Sequence, residues 1–393
     1  MNERVYLDWN AAALLRPQAR AAMDECTDMA GNPSSVHAEG RAARRVVETA
    51  REAVAELVGG VPAHVVFTSG ATEANLLALT PQIEDGGDRV PRDRLLISAI
   101  EHPSVLCGGR FAAGEVEQIP VGENGVVDLG ALRDRLAALK LSGIRRPLVS
   151  IMHANSETGA VQPVSEAADI VHEADGLLHV DAVQTAGRIP CNIKTLKADL
   201  LTLSAHKLGG PKGSGALVRR AETLHFPDPL LKGGGQERRM RAGTENVVGI
   251  VGFGAAVRAA SADWAEESRR TSGLRDRLEI SLRAICPDTT IFSAGAARLP
   301  NVTLFAVPGI KAETALIALD LDGIAVSSGS ACSSGKVQPS HVLAAMGVAP
   351  ALAGCAVRVS LGWASTARDI EIFLDTWKKL VKSLGKGGQN IAA

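Results

Sequence analysis

With 393 residues, 46% of them hydrophobic and 22% charged, the chain is too long for one simple core, so two domains are expected. Its 42 Lys and Arg nearly balance 43 Asp and Glu, which excludes a nucleic-acid or membrane-surface partner held by bulk electrostatics. No apolar run reaches the ~18 residues that span a bilayer, and the opening Met1-Asn2-Glu3-Arg4-Val5-Tyr6-Leu7-Asp8 lacks the hydrophobic core of a signal peptide, so a cytoplasmic protein is expected.

Residues 14–257 read as alternating helix and strand after an N-terminal segment, 1–13. A helix is expected over Ala38 to Val58, with Ser34 and Ser35 as available caps and Gly59-Gly60 as its stop. Short apolar runs follow at Val65–Phe67, Leu95–Ser98, Leu148–Met152, Leu177–Val180, Leu200–Leu203 and Ala216–Val218. Runs of this length between helical stretches indicate a mainly parallel sheet covered on both faces, an α/β fold. From about 258 the character changes. A charged amphipathic helix is expected over Ala259–Ala284, then short strands within 290–307, a helix over 311–320, a strand at Arg358–Leu361 and a last helix over Ile370–Leu384. Residues 258–393 thus read as a smaller α+β domain, with Gly385 to Asn390 as a frayed tail.

The ends of the apolar runs carry the chemistry. They lead into Ser69-Gly70-Ala71-Thr72, Glu101-His102, His153-Ala154-Asn155, Asp181 and Ser204-Ala205-His206-Lys207. In open α/β sheets ligands bind beyond the carboxyl ends of the strands, so these polar groups are expected at one edge. Gly70-Ala71-Thr72 opens a helix whose backbone N–H groups and dipole can hold a phosphate. Ser204 and His206 can add hydrogen bonds to it. Asp181 ends a buried strand, where a carboxylate is costly unless paired; a protonated pyridine nitrogen would pair it and become a better electron sink. Gln184 follows closely enough to reach the ring oxygen of the same cofactor. Lys207 sits at the mouth of a buried strand beside a glycine-rich stretch, where lost hydration lowers a lysine pKa and favours Schiff-base chemistry. His102 can stack on a ring and move protons. Arg358 can fork a substrate carboxylate. Each of these also has a structural reading as a cap, an ion pair or a buried polar residue; only their convergence favours chemistry.

Cys26, Cys107, Cys191, Cys286, Cys332 and Cys355 are scattered, with no Cys-x-x-Cys spacing. Neither a disulfide framework nor a metal site is expected. Cys332 differs from the rest because Gly, Ser and Ala surround it in Ser327-Ser328-Gly329-Ser330-Ala331-Cys332-Ser333-Ser334-Gly335. That setting suits an accessible, mobile loop rather than a core.

These motifs, with Gly31-Asn32-Pro33-Ser34-Ser35-Val36-His37, Glu101-His102-Pro103, His179-Val180-Asp181-Ala182-Val183-Gln184 and Arg241-Ala242-Gly243-Thr244-Glu245-Asn246, make the chain resemble the pyridoxal-phosphate-dependent cysteine desulfurases of the NifS/IscS-like type, within the class V aminotransferases. The resemblance runs from Val5 to about residue 365. It implies the fold-type I transferase architecture, with a seven-stranded, mainly parallel sheet in the large domain. It further implies pyridoxal 5'-phosphate bound as a Schiff base at Lys207, with Asp181 on the ring nitrogen. Gln184 and Asn155 would lie near the ring oxygen and the substrate. His102 would stack on the ring, and Ala71, Thr72, Ser204 and His206 would hold the phosphate. Thr244 would reach the phosphate of a neighbouring subunit, making a homodimer with shared sites. Asn32 and Arg358 would bind the carboxylate of L-cysteine, and Cys332 would take its sulfur as a persulfide, leave alanine, and pass the sulfur to an acceptor protein.

The chain departs from the family pattern at Ala11-Ala12-Ala13-Leu14, where many members have Ala-Ala-Thr-Thr, and at Asn155-Ser156, where many have two asparagines. A selenocysteine lyase or another class V aminotransferase-like enzyme is the alternative within the same fold. A scaffold that only docks sulfur acceptors is the alternative outside it, and the intact Lys207, Asp181, His102 and Cys332 count against it.

Overall fold

The computed structural model describes residues 4–87, 90–144, 146–328 and 339–387, with side chains as far as 383. Seven strands form the large sheet, in the order Val65–Thr68, Gly215–Arg219, Leu200–Ser204, Leu177–Asp181, Pro147–Ser150, Arg94–Ser98 and Val116–Ile119. Only Gly215–Arg219 runs antiparallel to its neighbours. Every residue of the five central strands is buried except Arg94 at the start of its strand, which is why those segments read as unbroken apolar runs. The edge strand Val116–Ile119, Val-Glu-Gln-Ile, is half exposed, and that mixed pattern hid it from the sequence reading.

Two apolar layers cover the sheet. One packs Val47, Val54, Leu96, Val149, Leu178, Leu201, Val218 and Phe253 together; the other packs Val66, Leu77, Leu95, Leu148, Leu177 and Leu217 on the opposite face. The helix expected over Ala38–Val58 spans Ala38–Leu57, but His37 caps it through Nδ1, accepting from Gly40 N, rather than Ser34 or Ser35.

The largest departure is the helix Val247–Ile285. It begins well before Ala259 and runs unbroken through residue 257. Its first part is apolar and buried, with Ile250, Phe253 and Val257 in the large core; its last part carries Leu278 and Leu282 into a second core. The composition shift at 258 is therefore a change of surroundings along one helix. By length and composition alone this helix could cross a membrane. The burial of Ile250, Phe253 and Val257 in the core accounts for its apolar character.

Beyond it, strands Thr290–Ile291, Val302–Ala306, Ala356–Ser360 and Ser327–Ser328 form an antiparallel sheet. Helices Ala312–Leu321 and Ala367–Gly387 flank it. The last helix thus includes residues 385–387, where fraying was expected; residues 388–390 lie outside the described residues. Its core is aromatic: Trp377 stacks on Phe373 with centroids 6.1 Å apart and meets Phe305 edge-on at 5.1 Å. The N-terminal strand Val5–Tyr6 pairs with Ile324–Ala325, and Asp8 then bridges to Ser360. This threads residues 8–12 between the small sheet and the carboxyl edge of the large one.

Candidate active site

The carboxyl ends of the parallel strands open on one cavity of about 770 Å³, a size suited to a cofactor with a small substrate. Ala71, Thr72, His102, Asn155, Asp181, Gln184, Ser204, His206, Lys207 and Arg358 all line it. Segments more than 280 residues apart in sequence thus supply a single site, as the strand ends imply.

Lys207 follows Leu200–Ser204 in a single 3-10 turn, Ala205–Lys207. Its Nζ donates to Asn10 O at 2.5 Å and Ala11 O at 2.8 Å. Burial, then the nearby Arg358 and Arg188 guanidinium groups, push its pKa down to about 7. Arg188 also fixes the neighbourhood: it donates to Lys207 O at 3.1 Å and to Gln184 Oε1 at 2.7 Å. Gln184 Nε2 in turn donates to Asn10 O at 3.1 Å.

Asp181 is buried at the strand end, with Oδ1 accepting from Val183 N and Oδ2 from Asn75 Nδ2, each at 3.0 Å. Beside it, Glu101 is fully buried. Its Oε1 accepts from Ser98 Oγ at 2.7 Å and Met152 N at 2.6 Å, and burial pushes its pKa up to about 8. Asp181 thus faces a carboxyl group that stays protonated near neutrality. His102 opens the short helix Pro103–Leu106 and borders the cavity; burial lowers its pKa first, Lys207 and His341 lower it further, and Asp181 opposes them.

The helix Ala71–Ala78 points its N-terminus into the cavity, and Gly70, at its N-cap, has no side chain to cap it. A Cβ on Gly70 would meet nothing within 4 Å, whereas one on Gly215 would lie 2.6 Å from Gly70 C. The turn therefore packs closely on the sheet below and is open above, a cradle with free N–H donors for an anion. Ser204 Oγ and His206 Nδ1 are 2.9 Å apart at its rim, and burial holds the His206 pKa down to about 4. Lys212 also borders the cavity.

Arg358 comes from the small sheet. It donates through NH2 to Asp8 Oδ1 at 2.8 Å and through NH1 to Ser156 O at 3.2 Å, and its buried Nε has no partner among the described residues. The guanidinium borders the cavity, where it can pair with a carboxylate. Asn155 is buried, and its Oδ1 accepts from Glu157 N at 2.9 Å and Thr158 N at 3.0 Å. Its amide therefore braces its own turn as well as lining the cavity.

Two expected ligands lie away from this cavity. Asn32 is exposed, and its Oδ1 accepts from Ser34 N at 2.8 Å. Among the described residues it is not brought to Arg358, because the segment folds into a side-chain-capped turn. Thr244 is exposed and borders no part of this cavity within its own chain. Cys332 lies outside the described residues. The sequence reading placed Glu101 at the strand edge without a role, and missed Asp8, Asn10, Asn75, Ser104 and Arg188. Asp8, Asn10 and Asn75 meet partners between 106 and 350 residues away, so nothing in local spacing marks them; Ser104 and Arg188 meet near neighbours, but their residue types alone do not single them out.

The chain matches the family model for class-V aminotransferases over residues 5–373. It is 39% identical over 392 residues to a cysteine desulfurase IscS from Dictyoglomus turgidum, covering 98% of this chain and 96% of that one. It is 41% identical to a cysteine desulfurase from Cereibacter sphaeroides, covering 97% of each. A solved structure of a NifS-like protein from Rickettsia africae superimposes with a TM-score of 0.86 at 35% identity, over 97% of this chain and 100% of that one. The parallel sheet, the lysine at its carboxyl edge and this near-complete overlap agree: the chain belongs to the class-V aminotransferases and, within them, to the cysteine desulfurases, a family that implies dependence on pyridoxal phosphate.

Proposed function

We propose that this cavity binds pyridoxal 5'-phosphate and converts L-cysteine to L-alanine, with the sulfur passing to Cys332. The observation that carries this reading is the convergence of a dehydrated Lys207 amine, a buried Asp181 carboxylate and an uncapped helix N-terminus in one cavity. These are the amine, counter-ion and anion cradle that an aldehyde-bearing, phosphorylated pyridine requires, so the residues present fit the group. The bound cofactor supplies an electron sink for charge developing on the substrate carbon.

The protein's own groups do the rest. Lys207 offers a neutral amine near pH 7. Asp181 would pair with the ring nitrogen and keep its proton there. Ala71, Thr72, Ser204 and His206 would hold the phosphate, and Gln184 and Asn155 would lie near the ring. Arg358 would orient the substrate carboxylate, and His102, at the cavity wall, would serve proton transfer there. The Cys332 thiolate attacks the substrate sulfur: an S–S bond forms, the C–S bond breaks, and the electron pair stays on carbon, which is protonated to give alanine. Thr244, exposed on its own chain, would complete the phosphate site of a second copy in a homodimer, and a sulfur-acceptor protein would then unload Cys332.

Two measurements test this. Lys207 is protonated below its pKa and free above it, so uptake of pyridoxal phosphate by cofactor-free protein should accelerate through pH 7. It should fall about tenfold per unit below that pH, followed by absorbance. A midpoint near 10, the ordinary lysine value, contradicts the lowered pKa. In addition, Cys332→Ser should lose turnover of L-cysteine while keeping bound cofactor. Full alanine formation from L-cysteine by that variant would instead favour a lyase that does not use the thiol, and selenocysteine is the substrate to try next.

A further inference from the structure

His102 and Asp181 are joined by a chain of two neutral side chains. Asn75, fully buried in the helix Ala71–Ala78, donates through Nδ2 to Asp181 Oδ2 at 3.0 Å and to Ser104 Oγ at 2.9 Å. Ser104 Oγ lies 2.8 Å from His102 Nδ1, and Ser104 N donates to the same Nδ1 at 3.1 Å.

The direction of every bond in this chain is fixed. A carboxylate only accepts, so the Asn75 amide must present its nitrogen to Asp181. Turning the amide round would set Oδ1 against Oδ2. The second hydrogen on Nδ2 then points at Ser104 Oγ, which accepts there; with Nδ1 held as an acceptor by the Ser104 N–H, the hydroxyl hydrogen goes to Nδ1 as well. The backbone N–H of Ser104 can only donate, so it demands the same lone pair. The arrangement leaves Asn75 Oδ1 buried with no hydrogen-bond partner among the described residues, a cost that packing alone does not explain.

We propose that Asn75 and Ser104 are positioning residues that set the tautomer of His102, holding its hydrogen on Nε2, toward the cavity, so that this histidine presents a hydrogen-bond donor there. What it donates to rests on the function proposed above; the tautomer does not. Protonating Nδ1 would set its hydrogen against the backbone N–H of Ser104, donor against donor, and break that bond. The charged and titratable groups that face His102 are Asp181 at its strand end, Lys207 in its 3-10 turn and His341 on the helix His341–Ala345. These act on the charge of the ring, whereas the chain of hydrogen bonds decides which nitrogen carries the hydrogen.

The test is ring-15N spectroscopy of histidine-labelled full-length protein, with pyridoxal phosphate bound and after its removal. Among the nine histidines, His102 is the one whose signals vanish in His102→Gln. The wild type should show Nδ1 bare and Nε2 protonated. Ser104→Ala and Asn75→Leu, checked for folding by circular dichroism, should raise the share of the Nδ1–H form several-fold. They should also shift the ring titration upward by about half a unit or more, and Ser104→Thr should restore the wild-type signals. The corresponding limb of the pH profile for alanine formation should move in step. Folded variants whose His102 signals and titration match the wild type overturn the proposal. A wild type that forms no alanine, while the signals shift as stated, leaves the tautomer in place and removes the reaction assigned to it.

Discussion

Replacing Lys207 with alanine abolishes alanine formation from L-cysteine, a loss of at least about a thousandfold, the scale seen when a covalent nucleophile is removed. The geometry says why no neighbour can stand in. Lys207 is the amine at the mouth of Leu200–Ser204, held by the carbonyls of Asn10 and Ala11 and deprived of water so that its pKa falls to about 7. Lys212 also borders the cavity but rises from the glycine-rich stretch rather than the buried strand end. Lys207→Arg should be as inactive as Lys207→Ala, because a guanidinium keeps its charge and cannot act as the amine. That pair of variants separates a nucleophile from a positive charge. Alanine formation within tenfold of wild type by either, measured by chromatography on protein of normal thermal stability, contradicts the assignment.

The second large effect concerns stability. Arg51 on the helix Ala38–Leu57 pairs with Glu237 through two bonds, NH1 to Oε2 at 2.7 Å and NH2 to Oε1 at 2.8 Å, and both side chains are buried. Glu237 Oε2 also accepts from Phe67 N at 2.8 Å, and the guanidinium lies 4.7 Å from the Phe67 ring centre. Glu237→Ala should therefore destabilise the protein by about 3 kcal/mol, because it removes the bidentate partner of a buried guanidinium, leaving it Glu48 and Val65 O, and strips Phe67 N of its acceptor. Arg51→Met combined with Glu237→Leu should recover much of that loss, since it removes the buried guanidinium together with its partner. The pair also clamps a strained turn: Glu237, Arg238 and Arg239 all have positive φ, at 44°, 54° and 68°, and such residues persist only where their surroundings over-determine them. Arg238 is exposed, so Arg238→Gly should stabilise by about 1 kcal/mol. Denaturant unfolding checks all three. A Glu237→Ala midpoint close to wild type would remove the clamp from this account.

The parts of the site that were legible in the sequence are those where an apolar strand ends in a polar residue. Asp181, Lys207, His102 and the Gly70-Ala71-Thr72 turn each announce themselves in this way, because polar groups inside the buried strands, such as His179 and Thr202, pair with each other while those at the ends face the cavity. The strand Val116–Ile119 was not legible, since at a sheet edge burial no longer imposes an apolar run. Nor was the extent of Val247–Ile285: one helix crosses two cores, and its sequence changes with its surroundings rather than at its ends. Asn32 read as a ligand because its motif is distinctive, yet its amide closes a local turn. The residues that tune the site were silent for a different reason. Asp8 meets Arg358, Asn10 meets Lys207 and Asn75 meets Asp181 only after the sheet has formed, and no periodicity in the chain encodes those pairings.

The most direct test is to incubate the purified protein with L-cysteine and measure alanine together with the mass of the peptide containing Cys332. The account predicts both alanine and a gain of one sulfur atom on Cys332, removable by a thiol reductant. Alanine without that added mass on Cys332, or bound pyridoxal phosphate with neither product, would contradict it.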